Sequence, residues 1–289
     1  MRHVRSKMAG LAGLGCVMVL AGCAFVGGLG GKAERRPGLL AVLPEDCPTP
    51  DGMAIDEHGY LIVACPNFAD QTKRACLVKV DKHTEKVTRW VDVPVLAETG
   101  VACPMGIEFG PDGDLYVCDN QGWKGTPQGQ FKGRLLRLKI ERGKVIRTTV
   151  VAEGLEHPNG VRVRDGFLYV TQSLLSKVKD SSGDLVSAVY RFRLDDVGVR
   201  VANTLDDPNL LVSFRTKNRF CQYGVDGLAF DSKGNLYVGN FGDGELLKVS
   251  FDAAGRVLNT CVFARTAFDI RLDPAQSGFL AQATQAAMR

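Results

Sequence analysis

Asp51, Asn159 and Asp226 each stand immediately before a glycine that opens a short apolar run. The runs are Asp51-Gly52-Met53-Ala54-Ile55-Asp56, Asn159-Gly160-Val161-Arg162-Val163 and Asp226-Gly227-Leu228-Ala229-Phe230-Asp231. A fourth run, Met105-Gly106-Ile107-Glu108-Phe109, has methionine in the equivalent place. Two carboxylates and an amide carbonyl make a hard, oxygen-only donor set, which suits calcium far better than zinc or copper. A dication held there would polarise an ester carbonyl and acidify a water, with Asp226 as the candidate base beside it. Asp119 or Asn120 and Asn240, at the ends of second strands, and His157, just before Pro158-Asn159, are candidate supporting or substrate contacts. Taken singly, an Asp or Asn before Gly is an ordinary tight turn. The equivalence of the three places is what sets these apart.

That equivalence needs a repeat to create it. After each glycine run comes a polar turn and a second run: Tyr60-Leu61-Ile62-Val63, Leu115-Tyr116-Val117, Phe167-Leu168-Tyr169-Val170 and Leu236-Tyr237-Val238. The turns Glu57-His58-Gly59, Pro111-Asp112-Gly113, Arg164-Asp165-Gly166 and Ser232-Lys233-Gly234 carry the residues tight hairpins require. Outer strands are expected at 76–80 and 87–91, 134–140 and 145–151, 189–194 and 199–201, and 246–249 and 257–263. Alternating apolar and polar positions suit half-exposed antiparallel strands. Short strands repeating at this period predict an all-β propeller with about four complete blades readable. In such a fold the residue before each glycine and the end of each second strand share one end of the channel. The long loops 121–133 and 172–187 should lie over that end, with Trp123 and Phe131 either lining a pocket or packing the loop.

The N-terminus reads as an export signal. Arg2, Arg5 and Lys7 precede a short apolar stretch, and Leu20-Ala21-Gly22-Cys23 closes it, resembling a bacterial lipobox with Cys23 as the lipidated residue. Residues 1–22 form the signal and 23–38 a flexible tether, which leaves 39–289 for the propeller. Ala24 is no inner-membrane retention signal, so the expected address is the cell envelope, as a lipoprotein of the outer membrane facing the periplasm. A net charge of +4 and no basic stripe with interleaved aromatics argue against nucleic acid as a partner. Cys47, Cys65, Cys76, Cys103, Cys118, Cys221 and Cys261 remain once Cys16 and Cys23 are set aside. No pair has zinc-finger spacing, and in an exported chain disulfides are expected, with buried free thiols the alternative. The fold places Cys103 near Cys118 and Cys47 near Cys65, while Cys65 and Cys76 bracket a loop and compete.

Pro158-Asn159-Gly160-Val161 and Val225-Asp226-Gly227-Leu228, each leading into a strand, a glycine turn and a Leu-Tyr-Val strand, resemble the SMP-30/gluconolactonase/LRE-like family over approximately residues 48–263. The resemblance implies a six-bladed propeller with one divalent cation in the central channel and hydrolysis of lactones or related esters. On its ligand pattern Asn159 matches an asparagine, Asp226 the aspartate that doubles as base, and Asp51 a glutamate position. The remaining asparagine position falls at Met105, a departure that sets this chain apart. Six blades would also need further strands after Arg289, and an incomplete ring would expose strand edges. The stretch 278–289 is Ala/Gln-rich and of helical propensity.

The expected function is therefore metal-dependent hydrolysis of a small lactone or ester by a lipid-anchored propeller. The alternatives are a non-catalytic propeller binding a small molecule, glycan or envelope protein, or a strictosidine-synthase-like propeller without hydrolysis. No serine lies in a Gly-x-Ser-x-Gly elbow, which argues against an α/β-hydrolase.

Overall fold

A computed structural model describes residues 38–266. The signal, lipidation and most of the tether assigned to 1–38, and the tail from 267, lie outside the described residues. Blade one is β1 (Met53–Ile55), β2 (Leu61–Cys65), β3 (Cys76–Val80) and β4 (Val87–Asp92). Blade two is β5 (Pro104–Phe109), β6 (Leu115–Asp119), β7 (Gly133–Glu141) and β8 (Lys144–Leu155). Then follow β9 (Pro158–Arg164), β10 (Phe167–Gln172), β11 (Leu185–Arg193), β12 (Val199–Arg200) and β13 (Leu210–Thr216). Blade four is β14 (Val225–Phe230), β15 (Leu236–Asn240), β16 (Glu245–Phe251) and β17 (Val257–Arg265). Each blade is an antiparallel meander with its first strand innermost.

Local chemistry explains the hairpins. Asp56 Oδ1 accepts hydrogen bonds from the backbone N–H of His58 and Tyr60, and Asp231 Oδ1 from Lys233 and Asn235. These aspartates hold the turn closed with side-chain oxygens. Between β9 and β10, Asp165 and Gly166 both have positive φ, 50° and 80°, and Arg164 pairs directly with Phe167. This two-residue turn has the twist that antiparallel strands demand.

The blades pack face to face through apolar side chains. Ala54, Ile62 and Leu77 meet Ile107, Leu115 and Leu136 between blades one and two. Tyr116, Leu135 and Ala152 meet Leu168, Val170 and Tyr190 between blades two and three. Tyr169, Val189 and Phe214 meet Leu228, Leu236 and Val249 between blades three and four. At the axis, β1 runs against β5, β5 against β9 and β9 against β14. The approach is so close that a Cβ on Gly52 would lie 2.4 Å from the Met105 carbonyl oxygen, and one on Gly106 2.4 Å from that of Asn159. Glycine opens the inner strands of the first three blades because no side chain fits there. All-β propeller architecture with four blades follows from this order.

One expectation is corrected. The 199–201 segment does not complete blade three. β12 adds instead to the outer edge of blade two, parallel to β8, with Val199 opposite Ala152 and Arg200 opposite Glu153. The outer strand of blade three is β13, paired with β11. The 40–43 segment forms no strand and carries only an isolated bridge residue, Val42. Leu43 is buried, and Leu40 and Ala41 pack against the outer face of blade one.

Candidate functional site

Asp51, Met105, Asn159 and Asp226 occupy one structural place, each directly before the glycine of an inner strand. The contacts at the axis set them in a row. The Met105 carbonyl abuts Gly52, the Asn159 carbonyl abuts Gly106, and the Asp226 carbonyl lies 2.9 Å from a Cβ built on Gly160. Thr171 Oγ1, at the end of β10, receives the Gly160 N–H at 2.7 Å and donates to the Asp226 carbonyl. Thus the row is fixed by backbone contacts rather than by flexible side chains.

Its electrostatics call for a cation. Asp51 is pushed up to about 8, first by burial and then by the charge of Asp226, against a weaker opposing hydrogen bond from Gly52. Asp226 is pushed up to about 6 by burial. Both residues keep some contact with solvent, yet the protein packed around the carboxyl groups penalises their charged forms. Asn159 is buried, and its Oδ1 has no hydrogen-bond partner. Among the described residues the Asn159 oxygen has no donor and neither carboxylate has a cationic partner, and two carboxylates and an amide oxygen in one row are a donor set that fits a hard dication. Met105, also buried, contributes a thioether to the row and contacts Cys103 Sγ at 3.8 Å.

The other expected residues divide. Asn120 is buried at the end of blade two's second strand, where its Oδ1 accepts the Gly122 N–H at 3.1 Å and caps the following loop. Asn240 accepts from Thr216 Oγ1 at 2.9 Å and donates weakly to the Arg215 carbonyl and Asp243, all within blades three and four. Both amides are thus occupied in holding loops. His157 is buried edge-on to Tyr223, with ring centroids 5.2 Å apart, and burial pushes its imidazole down to about 4. Its Nδ1 has no partner, so at neutral pH it offers an uncharged ring nitrogen near Asn159. His58 and His83 are exposed in turns.

Of the long loops, 121–133 packs down. Trp123 meets Phe68 of blade one at 5.9 Å between ring centroids, and Lys177 covers the Phe131 ring at 4.6 Å. The other loop frames a groove of about 380 Å³ lined by Leu175, Val178, Asp180, Thr216, Arg219 and Cys221. This groove opens at the end of blade three that bears Asn159, beside the segment leading to Asp226.

Asp119, offered by its place at the end of a second strand as a supporting oxygen, is instead held in an ion pair with Arg134 that sequence reading did not single out. Fully buried Asp119 accepts from Arg134 Nε at 2.9 Å, from Gln121 Nε2 at 2.9 Å and from the Cys103 N–H at 2.8 Å. The only available signal was an Asp closing a strand opposite an Arg, which is too common to select. All seven described cysteines are free thiols. Cys103 and Cys118 share one core without bonding, and Cys118 Sγ points to the Gly160 carbonyl at 3.6 Å.

Strand order and axial contacts define the protein as a β-propeller. No protein-family model and no curated protein matches the chain. Solved structures do match it. They include the PQQ-bound aldose sugar dehydrogenase of Streptomyces coelicolor, at 14% identity and TM-score 0.41 over 78% of this chain and 83% of that one. A gluconolactonase of Xanthomonas campestris matches at 17% and 0.46, over 74% of this chain and 61% of that one. The calcium-binding protein regucalcin of Agrobacterium tumefaciens matches at 15% and 0.44, over 73% and 59%. This chain therefore spans less than two thirds of the gluconolactonase and regucalcin chains. Likeness this distant assigns no residue a role.

Proposed function

We propose that this chain is a metal-dependent hydrolase of small lactones or related esters, anchored through Cys23 to the bacterial cell envelope on its periplasmic side. One observation supports the catalytic part: burial raises the carboxyl groups of both Asp51 and Asp226, the charge of Asp226 raises Asp51 further, and the oxygen of Asn159, in the same row, has no hydrogen-bond partner. Asp51, Asn159 and Asp226 would hold a divalent cation, with calcium the best match to an all-oxygen set of this flexibility. When bound, the cation supplies Lewis-acid polarisation of the substrate carbonyl.

The residues themselves do the rest. Asp226, at the mouth of the axis, accepts the proton of the attacking water at a carboxylate oxygen. Neutral His157, buried beside the row, adds no charge to the site.

Met105 supports a second reading, a propeller that binds a small molecule, glycan or envelope protein without turning it over. Its sulfur leaves one place in the row without a hard oxygen. Hydrolysis of a lactone panel by the full-length protein, with added calcium and then with excess chelator, separates the two. The hydrolase reading expects calcium-dependent turnover that falls about 10²–10⁴-fold in Asp226→Asn. Absence of turnover by protein shown folded by circular dichroism would leave the binding reading. Globomycin-sensitive processing and loss of membrane association in Cys23→Ser test the anchor.

A further inference from the structure

Three cysteines that are distant in sequence converge at one edge of blade one. Cys65 ends β2 and Cys76 begins β3, directly opposite each other in the ladder. Cys47 comes from the segment before β1, where its N–H donates to the Pro44 carbonyl at 2.9 Å. Cys47 and Cys76 have their sulfurs 3.6 Å apart, and all three Sγ atoms lie within 4.8 Å of one another. None of the three is more than 1% exposed. From this geometry we infer that Cys47, Cys65 and Cys76 form a thiolate site for a single thiophilic d¹⁰ cation, of which zinc is the representative.

The spacing fits such an ion with little movement. A cation about 2.3 Å from each sulfur requires sulfurs about 3.8–4.0 Å apart, in tetrahedral or trigonal arrangement. A fourth position faces Asp46, whose Oδ1 is 3.9 Å from Cys47 Sγ. Soft thiolates select against calcium, so this site and the oxygen row at the axis would not compete for one metal.

The surroundings hold the donors in place. Asn67 Nδ2 donates both to the Asp46 carbonyl at 2.9 Å and to the Arg74 carbonyl at 3.1 Å, which ties the segment bearing Cys47 to the one bearing Cys76. Asn67 does so from a left-handed backbone conformation, φ 53°, that few residues other than glycine and asparagine adopt. Arg89 reaches Asp46 Oδ2 at 3.2 Å and the Arg74 carbonyl at 3.3 Å, bringing positive charge to a site that must carry thiolates. Leu43, Val63 and Val78 close the apolar side.

A disulfide between any two of these sulfurs would strand the third beside it, whereas one cation engages all three. The ion would pin the segment ending at Cys47 onto blade one and stabilise that edge, binding the folded state alone.

The test uses the full chain isolated reduced and without oxygen, freed of metal and titrated with Co²⁺ as a spectroscopic stand-in and then with Zn²⁺. We expect one Co²⁺ per chain with sulfur-to-cobalt charge-transfer absorption, displaced by Zn²⁺, and a higher melting temperature with Zn²⁺. Cys47→Ser, Cys65→Ser and Cys76→Ser should each weaken binding by about two orders of magnitude, while Cys118→Ser and Cys221→Ser leave it unchanged. X-ray absorption of the unaltered zinc protein should show three sulfurs near about 2.3 Å, a result that stands even where a variant fails to fold. Absence of the cobalt–sulfur band in folded protein would overturn the site. So would a band retained in all three variants, or a disulfide between two of the three in protein isolated without reductant.

Discussion

Asp51, before the inner strand of the first blade, and Asp226, on that of the fourth, are electrostatically linked across the axis: burial first, and then the charge of Asp226, push the Asp51 carboxyl up. The two strands that carry them are separated in sequence by two complete blades. They meet because β1, β5, β9 and β14 turn about one axis, each pressed onto the next through a glycine. A pair of like charges held this way is unfavourable without a cation, and that tension is what the site offers for work.

The pair predicts how the metal-free protein responds to pH. A carboxyl that is raised on folding binds its proton more tightly in the folded chain, so stability falls as pH rises between the unfolded and folded values. For Asp51 that window runs from 3.8 to about 8. In chelator, the melting temperature should decline across it, calcium should restore the loss at the upper end, and Asp51→Asn should flatten the profile. A profile unchanged by both calcium and Asp51→Asn would show that the two carboxylates do not meet.

Met105 predicts a gain. Met105→Asn places an amide oxygen in the one position of the row that lacks one, and calcium affinity should rise by about tenfold as the ligand count increases. Isothermal titration of the parent and the variant measures this. Equal affinities would mean that the Met105 position does not face the cation.

The axial contacts predict where the fold is brittle. Gly106→Ala drives a methyl into the Asn159 carbonyl and the Gly160 backbone, and should cost about 3 kcal/mol. Gly113→Ala meets open space and suffers only from its positive φ of 78°, so about 1–2 kcal/mol is expected. Denaturant unfolding ranks the two, and the reverse order would contradict close packing of β5 on β9.

The ion pair under the site predicts coupling. Arg134→Ala leaves Asp119 charged and buried, and should cost about 3–5 kcal/mol. Asp119→Asn should cost less, since the amide oxygen can still accept from the Cys103 N–H. The double variant should be more stable than the two single losses summed. Additive losses in urea unfolding would place the two groups in separate interactions.

What the sequence settled by itself was whatever short-range physics controls. The glycine before each apolar run, the Asp-x-x-Gly turns and the alternation of the strands were enough to give the propeller, its four hairpin repeats and the equivalence of Asp51, Met105, Asn159 and Asp226. Turn chemistry and strand period act within a few residues, so they leave a local record. Tertiary structure decided the rest, because those outcomes are competitions between distant partners. Val199 and Arg200 have strand character, but only the assembled sheet shows that the open edge beside β8 takes them while β13 fills blade three. Asn120 and Asn240 look like ligands in sequence, yet a loop N–H and Thr216 already use their oxygens, whereas the oxygen of Asn159 is left over. Cys47, Cys65 and Cys76 suggested competing pairs, and the turn at Pro44 and the clamp at Asn67 brought all three sulfurs together instead. A hydrogen bond or a metal site is satisfied by whichever group arrives, and which group arrives is fixed only when the chain has closed around it.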